Sequence, residues 1–181
     1  MSDQQVDIKF RILGLVLSYE VSKGHLKWKI SDVSRKLGVS RSLIYYHFGN
    51  SKEDILDACY VIIAEEFYGL KHDFSKIFDF DSRILERSLL ATRKLYLKNP
   101  AVVTFYHRWR LEAGPAQKRI IQMEKKYQSK LQAALPWKAP EEILAIHTII
   151  HGVVTSPFTT PQTVAIVTEL LKPMLLAGKT K

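Results

Sequence analysis

Residues 30–52, ISDVSRKLGVSRSLIYYHFGNSK, hold two short helical patterns, a glycine-centred turn between them and the start of a third helix. In the first pattern Val33 and Leu37 stand four apart and share a face. Gly38 ends it, since a residue without Cβ enters the left-handed region at no steric cost. Val39 plugs the turn, and Ser40 is suited to cap the next helix. At about 100° per residue, Leu43, Ile44, His47 and Phe48 occupy one half of that helix, with Arg41, Ser42, Tyr45 and Tyr46 on the other. The first set is a packing face. The second offers a guanidinium, a hydroxyl and two phenols, groups that suit guanine edges, phosphates and sugars. Two helices joined by a short turn containing Gly are how a DNA reader seats its second helix in the major groove. On pattern alone, ordinary all-α packing fits as well. Ser51-Lys52-Glu53-Asp54 opens a further helix with an S-x-x-D capping pattern, and free amides there, beside Lys52, would suit a phosphate.

A longer comparison separates the two readings. GVSRSLIYYHF, preceded by ISDVSRKL and followed by NSKEDIL, resembles the DNA-binding domain of TetR-family transcriptional regulators. Gly24 matches the glycine that ends that family's first long helix, and Val33-Ser34 stand at its I-A pair. Gly38, Val39, Ser40, Ile44, Tyr45, His47, Phe48, Ser51, Lys52 and Glu53 follow its G-V-S-x-x-x-[LI]-Y-x-H-F and S-K-E pattern. The match covers residues 5 to about 57. The resemblance implies that Arg41, Ser42 and Tyr45 meet base edges or nearby backbone, while Tyr46, His47 and Lys52 chiefly grip phosphates. Two departures stand out. Lys29 replaces the usual Thr or Ser ahead of the first motif helix, so Lys29 by charge and Ser31 by hydroxyl are expected to replace its contacts. The spacing from Phe48 to Lys52 is one residue longer than the family's.

Charge distribution agrees. The chain carries a net +9, and residues 1–52 hold nine Lys or Arg against four Asp or Glu. More than half of the excess therefore lies in under a third of the length, where a polyanion would dock. The single cysteine, Cys59, excludes an internal disulfide framework and suits a reducing cytoplasm. No apolar run approaches the roughly 20 residues that span a bilayer, and the N-terminus does not read as a signal peptide. Neither a phosphate-binding glycine loop, a nucleophile elbow nor a paired-carboxylate signature is present, so the chain does not read as an enzyme and no motif asks for a cofactor.

Beyond residue 52 the pattern is helical throughout. Asn99-Pro100, Gly114-Pro115, Ala139-Pro140 and Thr160-Pro161 each resemble a helix start, because proline is preorganised for the first helical position. Further helices are expected over about Ser51 to Leu70 and Asp81 to Lys98, with residues 72–80 as a connection holding buried aromatics. Pro173 is expected to kink or end the last helix. The fold class expected is all-α, with about nine helices. Residues 1–52 would be a three-helix, helix-turn-helix DNA-binding domain, and residues 53–181 a helical ligand-binding and dimerisation domain.

The last two helices are unusually apolar. Ile143, Ile146, Ile150 and Val154 repeat at helical spacing, as do Val164, Val167 and Leu171. They could form the chain's own core or the seam of a two-fold four-helix bundle. The resemblance favours the seam, with His147 beside it, and hence a homodimer on a palindromic double-stranded operator. It also implies a small-molecule effector among the central helices, where Phe67, Tyr96, Phe105, Tyr106, Trp109 and Tyr127 supply aromatic surface. His147 and His151 stand four apart, but Thr148 occupies the place of the glutamate that zinc protease helices need, so no metal site is expected. The function expected is a homodimeric regulator, specifically a repressor released by its effector. The alternative is a constitutive DNA-organising protein with no effector.

Overall fold

The structure is a computed structural model that describes residues 3–74 and 82–178. The described residues form nine α-helices and no strand: α1 Asp3–Lys23, α2 Ile30–Leu37, α3 Arg41–Phe48, α4 Lys52–Ile62, α5 Ser82–Lys98, α6 Pro100–Leu111, α7 Pro115–Ala134, α8 Pro140–Thr155 and α9 Pro161–Leu176. All four proline starts open helices. The helix expected to run to Leu70 instead gives way to a π-helical turn over Ile63–Phe67. Ile63 and Phe67 within this turn and Tyr68 after it are all buried. Pro173 does not end the last helix, since α9 continues to Leu176. Phe74 is buried as expected of the connection, while residues 75–80 of it and the start at Asp81 lie outside the described residues.

Packing divides the chain into two compact units. One comprises the residues up to Ala64 together with Asn99–Ile121, and the other Glu65–Lys98 together with the residues from Gln122 onward. In the first, α1 lies against α6, and Ile12, Leu13, Val16 and Leu17 meet a layer built from Val102, Phe105 and Trp109. Tyr60 extends that layer, its ring 5.6 Å from Phe105 in an edge-to-face contact. Phe105 and Trp109, expected to line a ligand pocket, are core residues here. Cys59 is fully buried, and loss of solvent pushes its thiol well above the usual range, so it packs rather than reacts.

In the second unit α5 lies against both α8 and α9. Leu85, Leu89 and Tyr96 of α5 are buried, and Arg93, also buried, donates to the carbonyl of Ser156 at 2.6 Å. Glu142 accepts from the Ala139 amide at 2.9 Å, which satisfies an orphan donor at the start of α8. Thr160 caps α9 by accepting from the Thr163 amide at 3.1 Å.

This arrangement corrects the reading of the apolar stripe. Ile143, Ile146, His147, Ile150, Val154, Val164 and Leu171 are buried within a single chain, and Val167 is half-buried. Those seven buried side chains pack within the chain, and of the residues expected at the seam Val167 keeps partial exposure. Both helices carry apolar residues on more than one face, and α5 covers the face with the more regular repeat.

Candidate functional site

The position of α3 is set by local chemistry at both ends. Gly38 adopts φ 67°, in the left-handed region, and its amide closes α2 on the Ser34 carbonyl. The Ser34 hydroxyl donates to the Val39 carbonyl at 2.6 Å and braces the turn. Ser40 then caps α3, its Oγ accepting from the Leu43 amide at 3.1 Å. Ile44 and Phe48 are buried, and Leu43 and His47 are half-buried beside them. On the opposite side Arg41 and Ser42 are exposed, Tyr45 is half-buried and Tyr46 is 82% exposed. The helix therefore presents the guanidinium, hydroxyl and phenols outward, as its wheel implies.

His47 lies at the edge of this face, with its ring 5.0 Å from that of Tyr46. Partial burial, followed by the positive charge of Lys9, holds its pKa below the ordinary histidine value. In the free protein it is therefore a neutral hydrogen-bonding group at neutral pH, not a fixed positive charge. Lys29 is exposed and occupies the cap position of α2 without a side-chain capping bond, and Ser31 is half-buried within the first turn.

The start of α4 differs from expectation. Ser51 Oγ accepts from the Asp54 amide at 3.0 Å, while Asp54 accepts from the amides of Ser51 at 3.1 Å and Asn50 at 3.2 Å. This is a complete capping box, and it engages the amides of Asn50, Ser51 and Asp54 within the chain. Lys52 is similarly engaged, its ammonium donating to the Leu26 carbonyl. The longer spacing after Phe48 therefore gives Lys52 a tie within the chain. Gly49 turns the chain into this box at φ 103°, and a Cβ there would lie 2.4 Å from Asp54 Cβ. Gly49→Ala is expected to destabilise by about 1–3 kcal/mol. Urea unfolding checks this against Gly114→Ala, where a Cβ would meet nothing within 4 Å.

A residue group that the sequence did not single out holds the other end of the motif. Glu20 of α1 is fully buried. Its Oε1 accepts from the Leu26 amide at 2.9 Å and from the indole of Trp28 at 2.5 Å, and its Oε2 lies 3.0 Å from His25 Nδ1. Leu26 is held at φ 55°, unusual for a residue with a side chain. One carboxylate thus organises the turn leading into α2, with Lys23 and Asp32 paired at 3.0 Å across its outside. The only signal in the sequence was a lone glutamate ahead of Gly24 and Trp28, and nothing in its spacing marks it as buried.

The second unit contains a cavity of about 640 Å³. Phe67, Tyr96 and Tyr127, three of the aromatics expected at an effector site, line it. Phe105, Trp109 and the half-buried Tyr106 do not, since all three belong to the other unit. The lining adds Tyr68, Phe74, His147 and His151. His147 Nδ1 lies 3.2 Å from the Gln128 carboxamide nitrogen. Among the described residues no third His, Cys, Asp or Glu is placed to share a metal ion with the two histidines. No helix among them is long and apolar enough to cross a membrane.

Residues 21–59 match the family described as bacterial regulatory proteins, tetR family. Among curated proteins the sequence finds no match. The fold is similar to that of a TetR family transcriptional regulator, PfmR, from Thermus thermophilus, with TM-score 0.56 and 18% identity over 94% of this chain and 96% of that one. A regulator of the TetR/AcrR family from Thermobifida fusca gives TM-score 0.47 and 16% identity over 97% of this chain and 100% of that one. Residues 21–59 therefore carry a motif that matches the tetR-family model, with the polar face of its second helix exposed, on a fold similar to that of PfmR.

Proposed function

We propose that the protein is a homodimeric, sequence-specific regulator acting in the cytoplasm. Two copies of α3 read an inverted repeat, and a small molecule in the cavity of the second unit releases the operator. In this reading residues 1–52 are the DNA-binding part, and Lys29, Ser31, Arg41, Ser42, Tyr45, Tyr46 and His47 are the contacts. The observation that carries it is the outward face of α3. The Tyr46 phenol is 82% exposed and Arg41 is exposed on a helix anchored by buried Ile44 and Phe48. Arg41 is suited to the paired acceptors of a guanine edge.

Dimerisation is assigned to the uncovered sides of α8 and α9. Ile166, Leu170 and Met174 recur every fourth residue on the exposed face of α9, and Leu144 is exposed on α8. Apolar surface in such a stripe favours a partner with the same stripe, and a two-fold pair of hairpins meets that condition. The cavity favours an effector-controlled regulator over a constitutive DNA organiser.

Selection of bound duplexes from a randomised pool tests the reading. An inverted repeat with half-sites about one DNA turn apart is expected. Recovery of unrelated sequences would overturn specific recognition. Arg41→Ala is expected to weaken the selected site by about 1–3 kcal/mol and relax one base position. An unchanged sequence preference in that variant would show that another face of α3 enters the groove.

A further inference from the structure

The polar groups inside the second unit's cavity point to a chemical class of ligand. This inference rests on the effector reading above and goes one step past it. Rings dominate the lining. Phe67 meets Tyr96 at 4.9 Å, and Phe74 meets Tyr127 at 5.1 Å, both edge to face. Tyr127 also lies 4.8 Å from His147, and Tyr68 lies 5.9 Å from His151. A flat aromatic molecule can continue such a ring cluster with either its face or its edge.

His147 supplies direction. It is more than nine-tenths buried, lines the cavity, and its Nε2 has no hydrogen-bond partner among the described residues. With the Gln128 carboxamide nitrogen donating to Nδ1, the imidazole carries its single proton on Nε2. A buried N–H without an acceptor is costly, and an oxygen brought in by a ligand relieves that cost.

The charges around the cavity favour neither ion. Among the described residues its charged lining comprises Glu66, Lys71, Asp73 and Arg87, two of each sign. Glu66 and Lys71 are paired with each other at 2.5 Å, and Lys71, Asp73 and Arg87 are exposed. Deeper in, burial keeps the Tyr127 phenol protonated and lowers the His147 pKa, although Glu124 opposes the latter, so both groups are neutral at neutral pH. Glu124 is buried and acts on His147 but is not part of the described lining, whose carboxylates are the paired Glu66 and the exposed Asp73 and whose fixed positive charges are the exposed Lys71 and Arg87.

We propose that the cavity takes an uncharged, planar aromatic compound bearing a carbonyl or phenolic oxygen, which accepts from His147 Nε2. A volume of about 640 Å³ suits a molecule of two or three rings.

Four probes of similar outline test this on the full-length protein by titration calorimetry. They are flavone, which is neutral with a carbonyl; phenylnaphthalene, which lacks an acceptor; the cinchophen carboxylate; and an N-methylphenylquinolinium cation. Flavone is expected to bind tightest, roughly tenfold or more ahead of phenylnaphthalene. His147→Phe should abolish that preference while phenylnaphthalene still binds, which also shows that the variant is folded. His147→Gln, which retains an N–H donor, should restore part of the preference. Tighter binding of either ion, or an unchanged preference in His147→Phe, overturns the ligand class and leaves the effector reading standing. Binding of none of the four removes the cavity as a ligand site, and both readings fail together. Flavone that binds without releasing operator DNA supports the ligand class and overturns effector control alone.

Discussion

Glu20→Ala is expected to lower stability by about 3–5 kcal/mol. The carboxylate is fully buried and serves three partners: the Leu26 amide, the Trp28 indole and the His25 ring. Truncation removes the acceptor and leaves donors buried in a space that alanine cannot fill. That is a large share of the roughly 5–15 kcal/mol holding a typical domain folded. Urea unfolding should show a lower midpoint at a similar slope. Glu20→Gln keeps one acceptor oxygen in place and should lose less. Operator affinity should also fall at temperatures where Glu20→Ala remains folded, because the turn that Glu20 organises sets the start of α2 and hence the seat of α3. A loss under about 1 kcal/mol would mean that packing around Trp28, not the carboxylate, holds this turn.

Leu170→Glu should have the opposite profile, with stability nearly unchanged and function lost. Leu170 is 64% exposed, so a carboxylate there meets water in the single chain and costs little. In a two-fold interface the same position faces its own copy or a neighbouring apolar side chain, and the substitution places unpaired charges there. Sedimentation velocity should show a monomer. Operator affinity should drop by roughly 100-fold or more, since the second half-site no longer binds at high effective concentration. The neighbouring residue is the control. Leu171 is fully buried, so Leu171→Ala should destabilise by about 2–5 kcal/mol and leave association intact in the folded fraction. A dimer that persists in Leu170→Glu would place the association surface elsewhere.

The motif around α3 was legible because its determinants are local. A glycine at positive φ, a serine cap and an S-x-x-D box act within a few residues of one another, so each is visible as a short pattern. The proline helix starts were legible for the same reason. The tie of Lys52 to the carbonyl of Leu26, 26 residues away in sequence, is a contact that no local pattern shows. The helix expected up to Leu70 ends at Ile62 and gives way to a π-helical turn over Ile63–Phe67, which no local pattern in the sequence marks.

The aromatic residues divide along the same line. Phe67, Tyr96 and Tyr127 line the cavity, whereas Phe105 and Trp109 fill a core. Nothing in their composition or spacing separates the two groups. Burial of the Ile143, Ile146 and Ile150 stripe shows it most clearly. Residues with apolar side chains on two faces of α8 and α9 satisfy the helical period on either face, and only the position of α5 selects which face is covered. From sequence alone came the helices, their proline and serine starts and the outward chemistry of Arg41 to Tyr46, because backbone sterics and hydrogen bonding operate over a single turn. Tertiary structure decided which face of the final hairpin remains open, which rings enclose the cavity, and that Glu20 is a buried hub. Those outcomes depend on which surfaces meet across distant segments, and no local pattern encodes that meeting.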